Sequence, residues 1–300
     1  MNSSLIKAWS VFLVIVVLFV TSVEIYHKQH RDANTAFRCR ILVNKDLIID
    51  ESENKNKVEE KSKHDGIEDP LYEKTKYGLL PRVPMSGEKV FDKFSAKTVA
   101  TKIVKVAVAI NKEKIEDIVK LISRLGESKV TFIVPNYIED FSNIVSLILE
   151  HGHEIFLLIP TQQLVDDTQK VSPFLANSKP EETLDKLLKL IASTTKIIGV
   201  ANISSTLLTK SVPDMNVVTL ELAKRGLAFF DINVKNDVLK DLAKKTGLIY
   251  LHSTEMYIAN KTNTLKEDAT YFVEFSDVDG FLKILPDNMS VAPISQDETK

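Results

Sequence analysis

Apolar side chains between residues 101 and 297 follow two patterns that alternate along the chain. Short continuous apolar runs have the length of strands that are buried on both faces. They predict strands over residues 104–110, 130–134, 154–159, 196–200, 227–232, 248–251 and 271–275. Apolar residues three and four positions apart predict helices over residues 112–125, 140–151, 214–225 and 234–246, and one that begins at Pro180. This alternation predicts an α/β domain with a parallel sheet, either a short β/α barrel or, as the alternative, a doubly wound open sheet.

A different pattern stands at the N-terminus, where residues 8–23 form an uncharged apolar run between Lys7 and Glu24. The run is shorter than the roughly 20 residues that span a bilayer, but apolar neighbours on both sides lengthen it. We therefore expect residues 1–27 to be an uncleaved membrane anchor, with a cleaved signal peptide as the alternative. Lys and Arg residues are more frequent after the run than before it, which by the positive-inside rule favours a cytoplasmic C-terminal domain.

Residues 28–100 carry many charges of both signs and few large apolar side chains. Such a segment buries too little surface to offset the entropy of ordering it. Pro70, Pro81 and Pro84 interrupt regular structure towards its end. We predict a flexible charged linker here and assign it no partner of its own.

Composition excludes several classes of function. With 39 Lys and Arg residues against 41 Asp and Glu residues, the net charge is −2, and the chain lacks the basic excess of a nucleic-acid-binding protein. The single cysteine excludes a disulfide framework, a multi-cysteine zinc site and an iron–sulfur cluster built within one chain. No glycine follows the first predicted strand, so a dinucleotide cofactor is not expected.

Polar residues after the predicted strands are the candidate functional residues, because parallel β/α domains place their active sites at the carboxyl ends of the strands. The candidates are Asn111, Gln162, Asn202, Asp231, His252 and Glu255. Asp231, His252 and Glu255 could form a mixed metal or acid–base site, although catalytic zinc sites usually hold more histidines. A serine triad of Ser204 or Ser205 with His252 and Asp231 would lack the Gly-x-Ser-x-Gly turn that exposes such a nucleophile.

His151 and His153 have the spacing of a metal-binding pair, but they precede the third predicted strand. That position is the end of the sheet opposite to the expected site. We expect them to have a structural role at a helix C-terminus beside Gly152, where a partly cationic histidine suits the helix dipole.

Four sequence motifs between residues 104 and 258 resemble those of the divergent polysaccharide deacetylases. VTFIVPN (residues 130–136) is similar to the family's Val-Thr-x-x-Ile-x-Pro, and GHEIFLLIPTQ (152–162) to Gly-His-Glu-Val-x-Leu-His-Leu-Pro-Met-Glu. GVANISST (199–206) is similar to Gly-Val-x-Asn-His-Met-Gly-Ser, and RGLAFFDIN (225–233) to Arg-Gly-Leu-x-Phe-x-Asp-Ser-Arg. The resemblance implies a distorted parallel (β/α)7 barrel in the bacterial envelope and metal-dependent deacetylation of N-acetylated glycans, a role in carbohydrate metabolism.

The same alignment of motifs predicts that the metal site is degenerate. Asn111 and Lys112 stand where the resemblance implies two acids, Gln162 where it implies a glutamate, and Leu158 and Ile203 where it implies histidines. Leucine and isoleucine offer no ligand atom to a metal. The matches that remain are expected in turns and packing, and they are Gly152, His153, Glu154, Pro160, Gly199, Arg225 and Gly226.

These observations predict an inner-membrane protein with a single span, a linker and a divergent polysaccharide deacetylase domain over residues 101–297. The resemblance places the bulk of the chain in the periplasm. We expect a pseudoenzyme that holds no metal or other cofactor. It is expected to bind a glycan or an envelope protein, and not to bind nucleic acid. One alternative is an active hydrolase with a relocated site at Asp231, His252 and Glu255, holding zinc or another divalent metal or acting by acid–base chemistry. Another alternative is a structural partner in an envelope complex.

Overall fold

The computed structural model describes residues 69–162, 164, 171–204, 208–232, 236–259 and 264–296. The predicted membrane anchor, residues 1–27, and the first part of the predicted linker lie outside these residues. Within them, no helix is long and apolar enough to cross a membrane.

All seven predicted strands and all five predicted helices are present. The strands are β3 (Ile103–Ala109), β4 (Thr131–Val134), β5 (Glu154–Leu158), β6 (Gly199–Asn202), β7 (Ala228–Asp231), β8 (Ile249–His252) and β10 (Thr270–Glu274). The helices are α2 (Ile115–Leu125), α3 (Phe141–Glu150), α4 (Pro180–Ile191), α5 (Val212–Arg225) and α6 (Asp237–Thr246). Short elements that the sequence pattern did not predict are β1 (Tyr72–Thr75), β2 (Gly78–Pro81), α1 (Val90–Phe94), β9 (Glu255–Met256), α7 (Val278–Lys283) and β11 (Ser290–Ala292).

The large sheet is parallel and curled, and it confirms the predicted α/β class. Its strands follow the order β8-β7-β6-β5-β4-β3-β10-β9. β8 and β9 stand at opposite ends of this order, yet only Ser253 and Thr254 separate them in the chain. The three Cα–Cα steps from His252 to Glu255 span at most about 11 Å, so the two ends of the sheet must lie close together. The segment that contains β8 and β9 therefore pairs with β7 where it begins and with β10 where it ends.

β11 adds a short parallel strand beside the first half of β3. Lys105 of β3 is in register with Thr270 of β10 and with Ala292 of β11, so β10 and β11 lie on opposite sides of β3. β4 pairs with β3 only from Ala107 onward. The C-terminal strand thus fills the space between β3 and β4 at the amino end of the sheet.

The two faces of the sheet have separate cores. One face packs on the helices through alternate strand residues, among them Ile155, Leu157, Val200 and Phe229. The residues between them face the inside of the curled sheet, where the rings of Phe156 and Phe230 meet edge to face at 6.3 Å. Gly199 lies against the Phe156 ring, and a Cβ atom there would approach Phe156 Cε1 to 2.3 Å, so the inside is too tightly packed for a side chain at this position.

The predicted flexible linker does not extend to residue 100. β1 and β2 form an antiparallel hairpin, and Leu71, Leu80, Val90 and Phe91 are all buried. The prediction failed here because the apolar residues are sparse and isolated among charges, yet burial of a few large side chains stabilises a short segment against an existing surface. The hairpin docks on α5, where buried Arg225 forms an ion pair with Glu73 and donates a hydrogen bond to the carbonyl of Pro81 at 3.0 Å.

Buried Glu154, the first residue of β5, joins both ends of the domain at the amino end of the sheet. It accepts hydrogen bonds from Thr131 Oγ1, from the backbone and hydroxyl of Ser295, and from the Ala96 N–H. Burial raises the pKa of this carboxyl, while the four hydrogen bonds lower it. Glu154 therefore connects the segment after α1 and the segment after β11 to the centre of the sheet.

Candidate functional site

Strand alternation divides the predicted site residues into two groups. Leu158 lies two residues after Phe156, so it faces the inside of the curled sheet, and the same alternation places Ile203 after Ala201 on that side. Asn202 and Asp231, which end β6 and β7, follow the parity of Val200 and Phe229 and face the helices. The candidates thus share the carboxyl end of the sheet but not a single face.

Asn202 and Asp231 are the centre of a buried polar network on the helix side. Both are fully buried and lie directly opposite each other in the register of β6 and β7. Asn202 Nδ2 donates to Asp231 Oδ1 at 3.2 Å, and Asn236 Nδ2 donates to Asp231 Oδ2 at 3.1 Å. Asn236 is also the N-cap of α6, because its Oδ1 accepts the Leu239 N–H. The carboxylate therefore anchors the start of a helix to the sheet.

Ser204 extends this network towards β5. Its hydroxyl lies 3.2 Å from Thr161 Oγ1, and Asn202 Nδ2 donates to its carbonyl oxygen at 2.7 Å. Ser204 is buried, which fits a structural hydroxyl better than an exposed nucleophile. Ser205, the other serine of the predicted triad, lies outside the described residues.

His252 follows the network on the next strand. It is in register with Asp231, it is half-buried, and its ring centroid lies 5.9 Å from that of Tyr250. The Tyr250 hydroxyl is buried without a hydrogen-bond partner. Burial raises the pKa of this hydroxyl, and the negative charges of Asp231 and Asp237 raise it further.

The remaining candidates lie apart from these side chains. Glu255, on β9, forms an ion pair with exposed Lys266. Gln162 is exposed in a turn, and Asn111 donates its backbone N–H to the Glu113 carboxylate at 2.5 Å. In the part of the chain that the structure describes, no three His, Cys, Asp or Glu side chains form a group that could hold a metal ion.

The residues at the implied ligand positions do not fit a divalent metal. Leu158 and Ile203 are 3% and 5% exposed, and both fill the inside of the sheet with carbon atoms. Asn111 offers at most a neutral amide oxygen, a weaker ligand than a carboxylate, and Lys112 beside it adds a positive charge. No chemical step through a metal follows from this set of side chains.

Asn136, Asn236 and Glu274 are further polar residues near the carboxyl end of the sheet that our candidate list omits. Asn136 follows β4, and its Oδ1 is buried without a hydrogen-bond partner. The pKa of Glu274, which ends β10, is raised by burial and by the charges of Asp277 and Glu113. The signal for Asn136 and Glu274 is their position at a strand end, and for Asn236 it is the asparagine before a helix.

A curled parallel sheet flanked by helices, with its polar candidates at the carboxyl ends of the strands, defines an α/β protein of the β/α-barrel-like class. The model of the divergent polysaccharide deacetylase family matches residues 114–267, just over half of the chain. The chain belongs to this family.

One of two similar solved structures supports the fold. An uncharacterized protein from Agrobacterium tumefaciens C58 has a TM-score of 0.56 at 16% identity, over 72% of this chain and 98% of that chain. A mutant of a CE4 family pseudoenzyme with restored enzymatic activity has a TM-score of 0.38 at 12% identity, over 67% and 69%. No curated protein matches the sequence.

Proposed function

We propose that this protein is a membrane-anchored member of its family in the bacterial envelope that has lost metal-dependent deacetylation and binds an N-acetylated glycan. In this proposal the curled sheet is the family's distorted (β/α)7 barrel, and its cleft is retained as a binding surface. An envelope protein is the alternative ligand. The burial of Leu158 and Ile203 at the implied ligand positions carries the proposal, because neither side chain can coordinate a metal.

Polar groups at the carboxyl end of the sheet support binding of a glycan. Sugars are recognised by a few well-placed hydrogen-bonding groups beside apolar surface. Asn136 Oδ1 is a buried acceptor without a partner, exposed Gln162 offers both a donor and an acceptor, and half-buried His252 offers ring nitrogens. An acetamido group, with one N–H and one carbonyl, suits such amide side chains.

Metal content and acetate release of the purified full-length protein test the proposal together. We expect no stoichiometric zinc or other divalent metal, and no acetate from an N-acetylated oligosaccharide, while the same oligosaccharide binds. Stoichiometric metal together with acetate release would overturn the proposal. Binding of neither glycan nor envelope protein would overturn its second half.

A gain-of-ligand variant tests the carrying observation directly. Asn111→Asp, Leu158→His and Ile203→His in one chain introduce three groups that bind divalent metals. We expect zinc to bind this variant more tightly than the natural protein. Asn111→Asp, Leu158→Asn and Ile203→Asn is the matched control, since it adds similar polarity with much weaker ligands, and equal zinc binding by both variants would contradict the proposal.

The position relative to the membrane requires its own test. The resemblance favours the periplasm, whereas the charges that flank residues 8–23 favour the cytoplasm. A reporter that is active only in the periplasm, fused after Lys300, is expected to be active, and the same reporter fused to a chain without residues 1–27 is expected to be inactive. An inactive fusion to the full chain would contradict the proposed location.

A hydrolase with a relocated site is a second candidate, because Asp231 and His252 lie side by side on adjacent strands. Glycan hydrolysis by the natural protein that both His252→Ala and Asp231→Asn abolish would favour it. Hydrolysis that survives both substitutions, or no hydrolysis by the natural protein, would exclude this candidate.

A further inference from the structure

A pocket lies at the amino end of the sheet, opposite to the proposed glycan cleft. We call it the amino-end pocket, and it is bordered by the end of α1, by α3 and its C-terminal turn, and by the loop after α4. Its volume is about 530 Å³, which lies within the range of small-molecule sites. The proposed function does not use it.

His153 lines this pocket and has an unused hydrogen-bond donor. Its Nδ1 accepts the Val130 N–H at 3.2 Å, so the proton of the neutral ring is on Nε2. Nε2 is buried without a hydrogen-bond partner, and the residue as a whole is only 2% exposed. Burial lowers the pKa of His153 to about 4, and the nearby charges of Lys129 and His151 lower it further, so the ring is neutral at pH 7.

Cationic side chains outnumber acidic ones among the residues that line the pocket. Exposed Lys93 and Lys196 line it, Lys93 being paired with Asp69 at 3.5 Å, and Glu150 is the one acidic side chain among its lining residues. The carbonyls at the end of α3 are already paired, because three successive N–H groups, those of His151, Gly152 and His153, bond back to this helix. Lys129 Nζ also donates to the His151 carbonyl at 2.8 Å. A ligand that supplies negatively charged acceptors fits this balance.

The pocket also has an apolar wall. Phe94, Val145 and Leu149 line it beside the hydroxyls of Ser146, Thr194 and Thr195. A purely inorganic anion would leave this apolar surface unused, whereas a short hydrocarbon chain would cover it.

We propose that the amino-end pocket binds a small organic carboxylate with a short aliphatic body. The carboxylate accepts a hydrogen bond from His153 Nε2 and faces the ammonium group of Lys196. The aliphatic body packs against Phe94, Val145 and Leu149.

Butyrate and butyramide test the proposal, because they share an aliphatic body and only butyrate is charged. The full-length protein carries isotope labels on its histidines, and the His153 ring signals are followed during titration. We expect saturable shifts with butyrate at concentrations at least about tenfold lower than with butyramide, which corresponds to at least about 1.4 kcal/mol. No saturable shift of His153, or equal affinity for both compounds, would overturn the proposal.

Two substitutions locate the contacts, with butyrate signals observed instead of the protein. His153→Asn retains an acceptor for the Val130 N–H but loses the Nε2 donor, and we expect it to weaken butyrate binding at least about tenfold. Lys196→Gln should weaken binding several-fold, and it keeps the test valid if His153→Asn does not fold. Lys189→Gln, an exposed change on α4 outside the pocket lining, is the control. Unchanged binding by folded His153→Asn and Lys196→Gln would overturn the proposal, whatever the outcome of the glycan experiments.

Discussion

The two ends of the sheet hold buried carboxyl groups in different ways. At the amino end, Glu154 accepts hydrogen bonds from residues 23, 58 and 141 positions away in the chain. At the carboxyl end, Asp231 accepts from Asn202 and Asn236, which are 29 and five positions away. The amino end therefore links the first and last segments of the domain, whereas the carboxyl end orders neighbouring strands and a helix start. The family motif residues that the sequence retains at Gly152–Glu154 lie at the amino end, and the motif residues that it has lost lie at the carboxyl end.

The largest expected effect is the loss of Glu154. Glu154→Ala leaves the hydroxyls of Thr131 and Ser295 and the Ala96 N–H without their acceptor in a buried site, which should lower the free energy of unfolding by about 4 kcal/mol. Glu154→Gln is the control, since its amide oxygen still accepts and the hydroxyls can rotate, and it should lose much less. Urea unfolding measures both, and equal small losses would show that the amino end is not a central link.

The pH dependence of stability should come next in size. His153 titrates at a pKa of about 4 in the folded chain against 6.5 normally, so its contribution is fully present above pH 6.5 and is lost as the pH falls towards 4. The loss is up to about 3 kcal/mol. Glu154 acts in the opposite direction, because its pKa is raised, and its ionisation opposes folding as the pH rises above its ordinary pKa of 4.5.

Unfolding measured at several pH values separates the two groups. His153→Asn should flatten the acid side of the stability curve, and Glu154→Gln should flatten the opposite slope above its ordinary pKa. A curve that neither substitution changes would contradict the assigned protonation states.

At the carboxyl end, Asp231→Ala should have a smaller and more local effect. It removes one of the two acceptors of the Asn202 and Asn236 amides, which keep their bonds to the carbonyls of Ser204 and Thr209, at a cost of about 2 kcal/mol. Hydrogen exchange should accelerate at the start of α6 and leave the hairpin of β1 and β2 protected. Asp231→Asn retains the shape of the side chain and serves as the control, and a uniform acceleration across the domain would remove the distinction between the two ends.

Surface ion pairs should have the smallest effect. Lys189 pairs with Asp185 on exposed turns of α4 at 2.8 Å. Such pairs are screened by solvent and contribute little to stability. Lys189→Ala should leave the urea midpoint unchanged within error, and a clear loss would mean that buried contacts alone do not set the stability.

The strands were predictable because a parallel sheet covered on both faces leaves continuous apolar runs in the sequence. The short elements at both ends of the domain were not, because β11 has three residues and the buried apolar side chains of the hairpin are the adjacent Leu80 and Pro81. Their positions depend on partners distant in sequence, such as Lys105 for β11 and Arg225 for the hairpin.

The sequence predicted which end of the sheet the candidate residues occupy but not which face of the sheet each side chain is on. Strand ends located Asn202, Asp231 and His252 correctly at the carboxyl end of the sheet. Which face each residue occupies required the register, since a shift of one residue moves a side chain to the other face. The burial of Asn136 Oδ1 depends on tertiary contacts that no local pattern encodes. The N-cap role of Asn236 is local, and an asparagine before a helix is its signal in the sequence.

The position of β11 also has a consequence for the synthesis of the protein. Ser290–Ala292 pair with the first strand of the sheet, and Ser295 completes the hydrogen bonds of Glu154. The full set of contacts cannot form until residue 295 has left the ribosome. Until then, the edge of β3 that pairs with β11 has no partner strand. A chain truncated before residue 290 keeps this edge of β3 unpaired and leaves Glu154 without the hydrogen bonds of Ser295. Quality-control proteases of the cell would therefore degrade an interrupted molecule more readily than a finished one.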